Sequence, residues 1–189
     1  MSEKKTTPRL LEKYRNEIIP QMTEKFALKN RFAVPRVEKI VVNMGVGEAL
    51  QDVKILEKAM EEMATITGQK PVMRRAKKAI SNFKVKENQP VGCKVTLRRA
   101  MMYEFMDRLF NVTMPRIRDF RGVPVDSFDA SGNYTLGLTE QNIFPELEID
   151  RLSRSQGMDI TFVIKNAKSQ EQARELLRLF GMPFKQAEK

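Results

Sequence analysis

Apolar side chains recur along this chain in two rhythms, one of helices and one of strands. Leu10, Leu11, Tyr14 and Ile18 fall at helical spacing and predict a helix over about 8–28, kinked or split at Pro20. Over 36–44 the period drops to two. Ile40, Val42 and Met44 then share one face, and Lys39, Val41 and Asn43 share the other. Gly45 and Gly47 end that strand, and Gly45-Val46-Gly47 reads as an exit needing permissive dihedrals rather than a nucleotide loop. Asp52 can cap a helix over 53–67 with the stripe Ile55, Leu56, Ala59, Met60 and Met63, and Gly68 is a natural stop.

A short strand is expected over 70–75. The next, over 91–98, turns Val91, Cys93, Val95 and Leu97 inward and Lys94, Thr96 and Arg98 outward. Met102, Phe105, Met106, Leu109 and Phe110 mark a third helix over about 100–111. Residues 112–157 are rich in turn formers, with a short strand near 134–138. A strand over 158–164 follows, with Ile160, Phe162 and Ile164 on one face. The last helix opens with a Ser169-x-x-Gln172 capping box, carries Ala173, Leu176, Leu177 and Phe180, and stops at Gly181 and Pro183. Alternating rather than wholly apolar strands predict an α+β fold: an antiparallel sheet with helices on one face and a polar face on the other. No internal repeat is visible. The expectation is one domain over 1–189, with an N-terminal half of about 8–86 and a C-terminal half of about 87–184 sharing one core.

The charge pattern points to a partner. The chain carries +10, yet residues 70–99 alone hold Lys70, Arg74, Arg75, Lys77, Lys78, Lys84, Lys86, Lys94, Arg98 and Arg99 against one acid, Glu87. Residues 100–150 are acidic instead, with four basic side chains against nine acidic. A concentrated basic stretch attracts phosphate backbones and releases their counterions, whereas a merely solubilising surface mixes its signs. Phe83, alone among the lysines of 77–86, either stacks on an exposed base or anchors a hairpin to the body. Trp is absent and only three Tyr occur, so shape and phosphate recognition fits better than extended stacking.

Enzyme readings are poor. There is no histidine, which removes the commonest general base and the usual zinc sites, and no phosphate-binding glycine loop occurs. No cofactor and no metal are expected. Cys93, the single cysteine, excludes an internal disulfide framework and reads as a buried small side chain in a reducing compartment. No apolar run approaches the roughly 18 residues of a membrane span, and the charged start of the chain is unlike a signal peptide, so a cytoplasmic location is the default. An RNA-binding regulator and an RNA-modifying enzyme stay open as other classes at this point.

Several strings resemble a known family. They are the run from Pro35-Arg36-Val37-Glu38-Lys39 to Gly47-Glu48-Ala49, Gly68-Gln69-Lys70-Pro71, and Arg75-Ala76-Lys77-Lys78-Ala79-Ile80-Ser81-Asn82-Phe83. Pro115-Arg116-Ile117-Arg118-Asp119-Phe120-Arg121-Gly122, Gly132-Asn133-Tyr134-Thr135-Leu136-Gly137, Gly157-Met158-Asp159-Ile160 and Ala173-Arg174-Glu175-Leu176-Leu177 complete the set. In this order, over about 8–184, the chain resembles the bacterial large-subunit ribosomal protein five family. The resemblance implies a non-enzymatic α+β protein that binds 5S ribosomal RNA and helps attach it to the central protuberance. It implies contacts with large-subunit ribosomal RNA, peptidyl-site transfer RNA, a basic small-subunit protein across an intersubunit bridge, and neighbouring 5S-associated proteins. The family's RNA-contact positions fall on Lys39, Asn43, Gln69 and Thr96, to which the outward pattern adds Lys94 and Arg98. Its transfer-RNA-facing hairpin falls on about 74–90, with Arg74, Arg75, Lys77, Lys78, Phe83, Lys84 and Lys86. The bridge contact is expected in the acidic segment, at Glu146, Glu148 and Asp150. One departure stands out: where the family usually reads Leu-Arg-Gly-Glu-Arg-Met-Tyr-Glu-Phe, this chain has Leu97-Arg98-Arg99-Ala100-Met101-Met102-Tyr103-Glu104-Phe105.

Overall fold

The structure, a computed structural model, describes residues 7–147 and 154–185. Among these, five strands form: β1 Arg36–Gly45, β2 Val72–Arg75, β3 Pro90–Leu97, β4 Tyr134–Leu138 and β5 Met158–Lys165. They make one antiparallel sheet in the order β2-β3-β1-β5-β4, so the expected α+β class holds. The helices are α1 Arg9–Lys13, α2 Ile19–Lys25, α3 Val53–Thr67, α4 Arg99–Arg108 and α5 Gln170–Phe180. No helix among the described residues is long and apolar enough to cross a membrane.

The chain gathers into two compact units. One takes in the chain as far as Ile40, Arg98–Leu136 and everything from Thr161 on; the other is Val41–Leu97 with Gly137–Ile160. In the first unit the core is aromatic. Tyr14 stacks on Phe180 at 5.8 Å between ring centroids, Phe110 lies 5.8 Å from Phe162, and Phe128 meets Tyr134 edge-on at 4.8 Å. The fully buried Tyr134 would lose a hydrogen bond in such a setting, but its hydroxyl donates to the Pro124 carbonyl at 2.7 Å.

Helices α1 and α2 are joined by a π-helical turn over Tyr14–Ile18, and Pro20 sits in the first turn of α2. The expected kink or break is therefore a widened turn. Proline lacks the N–H of the regular ladder and its ring crowds the carbonyl four residues back; opening the preceding turn relieves both and still buries Tyr14 and Ile18. Helix α4 does the same at its end, passing through a π turn at Leu109–Thr113 and a tighter one at Met114–Arg116.

The second unit shows how local signals set an element. Asp52 accepts a hydrogen bond from Lys54 N at 2.9 Å and opens α3, and Gly68, at φ 70°, closes it in the left-handed region where a side chain is strained. Leu56, Ala59, Met63 and Ile66 are the buried stripe of α3, and Cys93, Val95 and Leu97 are the buried positions of β3. Gly92 is required by packing: a Cβ there would stand 2.3 Å from the Met44 carbonyl of β1. Gly45 and Gly47 differ from expectation. Neither has a positive φ and a Cβ on either meets nothing within 4 Å, so the strand exit does not depend on glycine.

The capping box at α5 is also shifted. Ser169 Oγ accepts from Gln172 N at 3.3 Å as expected, but Gln172 Oε1 returns to Lys168 N at 2.9 Å, one residue before the cap.

Candidate nucleic-acid interface

Two strands present the polar face. In β1, Lys39, Val41 and Asn43 are half-buried while Ile40, Val42 and Met44 are buried, and in β3 the half-buried Lys94 and Thr96 alternate with buried Cys93, Val95 and Leu97. A period of two sends each set to a single face. The register Val72↔Lys94 then places the exposed Val72 beside Lys94.

Gln69 comes to β3 from outside the strands. Its backbone is tied to the end of α3, because Gln69 N donates to the Thr67 hydroxyl oxygen at 3.4 Å while that hydroxyl donates to the Met63 carbonyl at 2.7 Å. The Gln69 side chain reaches β3, with Nε2 donating to the Thr96 carbonyl at 3.3 Å. Asn43, Gln69, Lys94 and Thr96 thus belong to one compact unit, whereas Lys39 and Arg98 belong to the other. Arg98 is extended and exposed, directly ahead of α4.

Following it, Arg99 has φ 54°. This is the position where the resemblance expects glycine, and the backbone keeps the left-handed conformation that glycine adopts freely. An arginine there costs roughly 1–2 kcal/mol of backbone strain.

The basic hairpin is built around two short pairings. At its base Asn88 N donates to the Ala76 carbonyl at 3.0 Å and Ala76 N to the Gln89 carbonyl at 2.9 Å. Near its tip Ile80 and Val85 exchange bonds of 2.8 and 3.1 Å, and Lys84 turns the chain at φ 53°. Arg75 Nη1 donates to the Asn88 carbonyl at 2.9 Å. Arg74, Lys77, Lys78, Lys84 and Lys86 are exposed, and Phe83, at 72% exposure, projects from the tip instead of anchoring it.

The acidic segment is partly absorbed by its own loops. Asp129 accepts hydrogen bonds from Ser131 N, Asn133 N and Asn133 Nδ2, at 2.8, 2.8 and 2.7 Å, and the Asn133 side chain leads in holding its carboxyl below the usual carboxylate range. Glu146 is half-buried beside buried Phe144 and Leu147. Glu148 and Asp150 lie outside the described residues.

Little in the second unit is set up for turnover. Burial pushes the Cys93 thiol up to about 11, the reverse of a reactive cysteine. A cavity of about 300 Å³ lies against α3, and Glu62, Gln141 and Arg154 in its wall are hydrogen-bonded. Gln141 Nε2 donates to Glu62 Oε2 at 3.3 Å and to the Arg154 carbonyl at 2.7 Å, and Arg154 pairs with Glu48.

Two family models match this chain in tandem: ribosomal protein L5 over residues 30–86, and the C-terminus of the same ribosomal family over residues 90–184. The large ribosomal subunit protein uL5 of Clostridium acetobutylicum is 59% identical over 179 residues, covering 95% of this chain and 99% of that protein. Those of Clostridium tetani and Clostridium beijerinckii are 58% and 57% identical, each covering 94% of this chain and at least 98% of the relative. With its fold, its alternating polar face and these matches in agreement, the chain belongs to the ribosomal protein L5 family, structural and non-enzymatic components of the large ribosomal subunit.

Proposed function

We propose that, within the cytoplasmic ribosome, the polar face around Asn43, Gln69, Lys94 and Thr96, with Lys39 and Arg98, binds 5S ribosomal RNA and helps attach it to the central protuberance. The observation that carries this reading is the hydrogen bond from Gln69 Nε2 to the Thr96 carbonyl, which ties the end of α3 to β3. It gathers neutral donors and acceptors beside Lys94. Such a mixture suits ribose hydroxyls and base edges of folded RNA, with phosphates paired by the lysine. In the same reading the basic hairpin touches large-subunit ribosomal RNA and peptidyl-site transfer RNA, using exposed cations that its two short pairings leave at the surface. The acidic segment around Glu146, Glu148 and Asp150 faces a basic small-subunit protein at an intersubunit bridge, and 5S-associated proteins are neighbours.

The test is the 5S affinity of single variants at two salt concentrations, with thermal melts as a folding control. Asn43→Ala and Thr96→Ala should fold normally and lose roughly 1–3 kcal/mol of binding where the RNA partner is left buried and unpaired. Lys39→Ala should lower the salt slope by about 0.7–0.9, and Asn43→Ala should leave it unchanged. If well-folded Asn43→Ala and Thr96→Ala proteins both bind like wild type, this face is not the 5S site.

A further inference from the structure

Among the described residues, the most exposed large apolar side chain lies far from the hairpin in sequence. Phe32, at 87% exposure, sits in a tight turn over Arg31–Ala33 in the first unit. Single exposed apolar residues are ordinary on protein surfaces. This one is unusual because its backbone is held from both sides. Phe32 N donates to Asn30 Oδ1 at 2.8 Å, and the Phe32 carbonyl accepts from Asn166 Nδ2 at 2.9 Å. The turn closes with Ala33 N donating to the Asn30 carbonyl at 3.0 Å and runs directly into buried Val34 and Pro35. The ring is therefore presented from a fixed base, and the ordering cost of the backbone is met before any partner arrives.

Its surroundings select the partner. Lys29, Arg31 and Arg36 flank it in sequence and are exposed, no acid lies between Lys25 and Arg36, and Asn166 is preceded by the exposed Lys165. Among the described residues none of these four cations is in an ion pair. An exposed apolar ring with exposed cations before and after it in sequence suits a base with phosphates on either side, since every base offers a π-face and its backbone supplies the charge. A basic protein surface would be repelled.

We propose that Phe32 is a stacking platform for an unpaired base of ribosomal RNA, with Lys29, Arg31 and Arg36 holding the adjacent phosphates. The proposal rests on the chain being an RNA-binding ribosomal protein, but not on the polar sheet face being the 5S site.

The chain has no tryptophan, so Phe32→Trp places a single indole at this spot. The full-length variant is titrated with protein-free 5S ribosomal RNA and, separately, with protein-free large-subunit ribosomal RNA. Indole emission should be quenched by one of them. Phe32→Ala should weaken binding to that RNA by roughly 5- to 100-fold with an unchanged salt slope, while Arg31→Ala lowers the slope. Melts matching wild type confirm that the exposed site does not govern folding. Wild-type affinity of Phe32→Ala for both RNAs overturns the platform while leaving the sheet-face reading intact. Full affinity in Phe32→Leu, or emission that changes only when large-subunit proteins are added, also overturns it, the first in favour of simple apolar burial and the second in favour of a protein pocket. A wild-type chain that binds neither RNA sinks both readings.

Discussion

Helix α5 and the basic hairpin are both short and both carry cations, yet they use them in opposite ways. In α5, Arg178 clamps Glu175 through Nε and Nη2 at 2.9 and 2.6 Å, and Lys25 reaches the same carboxylate at 3.0 Å. Ala173, Leu176, Leu177 and Phe180 are buried along that helix, and both of its ends are capped. In the hairpin, Val85 is only half-buried, and the lysines project into solvent. Charge that the fold needs is paired where it is buried. Charge left unpaired among the described residues, on a segment with little core of its own, suits an anionic partner. One region is specified by what it buries, the other by what it leaves exposed.

The largest effects should separate these two roles. Leu176→Ala removes fully buried volume from α5 and should cost about 2–5 kcal/mol of stability, read from denaturant unfolding, without changing the RNA affinity of the folded protein. Replacing Lys77, Lys78, Lys84 and Lys86 together with Gln should leave stability within about 0.5 kcal/mol. The same variant should lower the salt slope of ribosomal RNA binding by about 3, with an affinity loss near a hundredfold at low salt. The contrast breaks if the four-lysine variant unfolds, or if it keeps the wild-type slope.

Much of this was legible in the sequence because its causes are local. The ends of α3 could be read from Asp52 and Gly68, since a cap and a left-handed stop each act within one turn. The polar face could be read from the period of two in β1 and β3, whereas Gln69 came with the family resemblance alone. What escaped depends on several elements at once. The widened turn at Tyr14–Ile18 accommodates Pro20 while keeping Tyr14 against Phe180, and no spacing rule encodes that compromise. Permissive glycines at 45 and 47 were a reasonable expectation, but the backbone there is ordinary. Phe32 carries the signal that singled out Phe83, an aromatic among cations. What distinguishes it is the pair of hydrogen bonds on its backbone, one of them from Asn166, 134 residues away.

Arg99 sharpens the same contrast at a smaller scale, as an exposed cation held at a backbone cost. With φ at 54°, Arg99→Gly should relax the first residue of α4 and stabilise the protein by roughly 1 kcal/mol, measured by chemical denaturation. If the arginine is kept for RNA, the same variant binds more weakly and with a lower salt slope. A variant that is more stable and binds unchanged places Arg99 outside the interface.

The smallest effect concerns the paired charge of α5 and has a sign that pH reveals. Hydrogen bonding from Arg178 leads in lowering the Glu175 carboxyl below the usual glutamate range, with Lys25 adding to it against the opposing effect of burial. Because the folded value lies below the unfolded one, about 4.3, this group stabilises the fold above that pH and loses the contribution as pH falls through the folded value. Both cations are substantially exposed, which screens the pair and limits its worth to about 0.5–1 kcal/mol. Glu175→Gln should therefore melt lower than wild type at neutral pH, and the two curves should converge as the solution is acidified. Glu62 is a control of opposite sign, since burial raises its carboxyl, so Glu62→Gln should gain relative to wild type as pH rises above the glutamate range. The four-lysine hairpin variant should show neither trend, because among the described residues its cations pair with no carboxylate. A Glu175→Gln penalty that stays constant from neutral to acidic pH would mean that the side chain contributes packing and not paired charge, and the distinction between the two regions would then rest on burial alone.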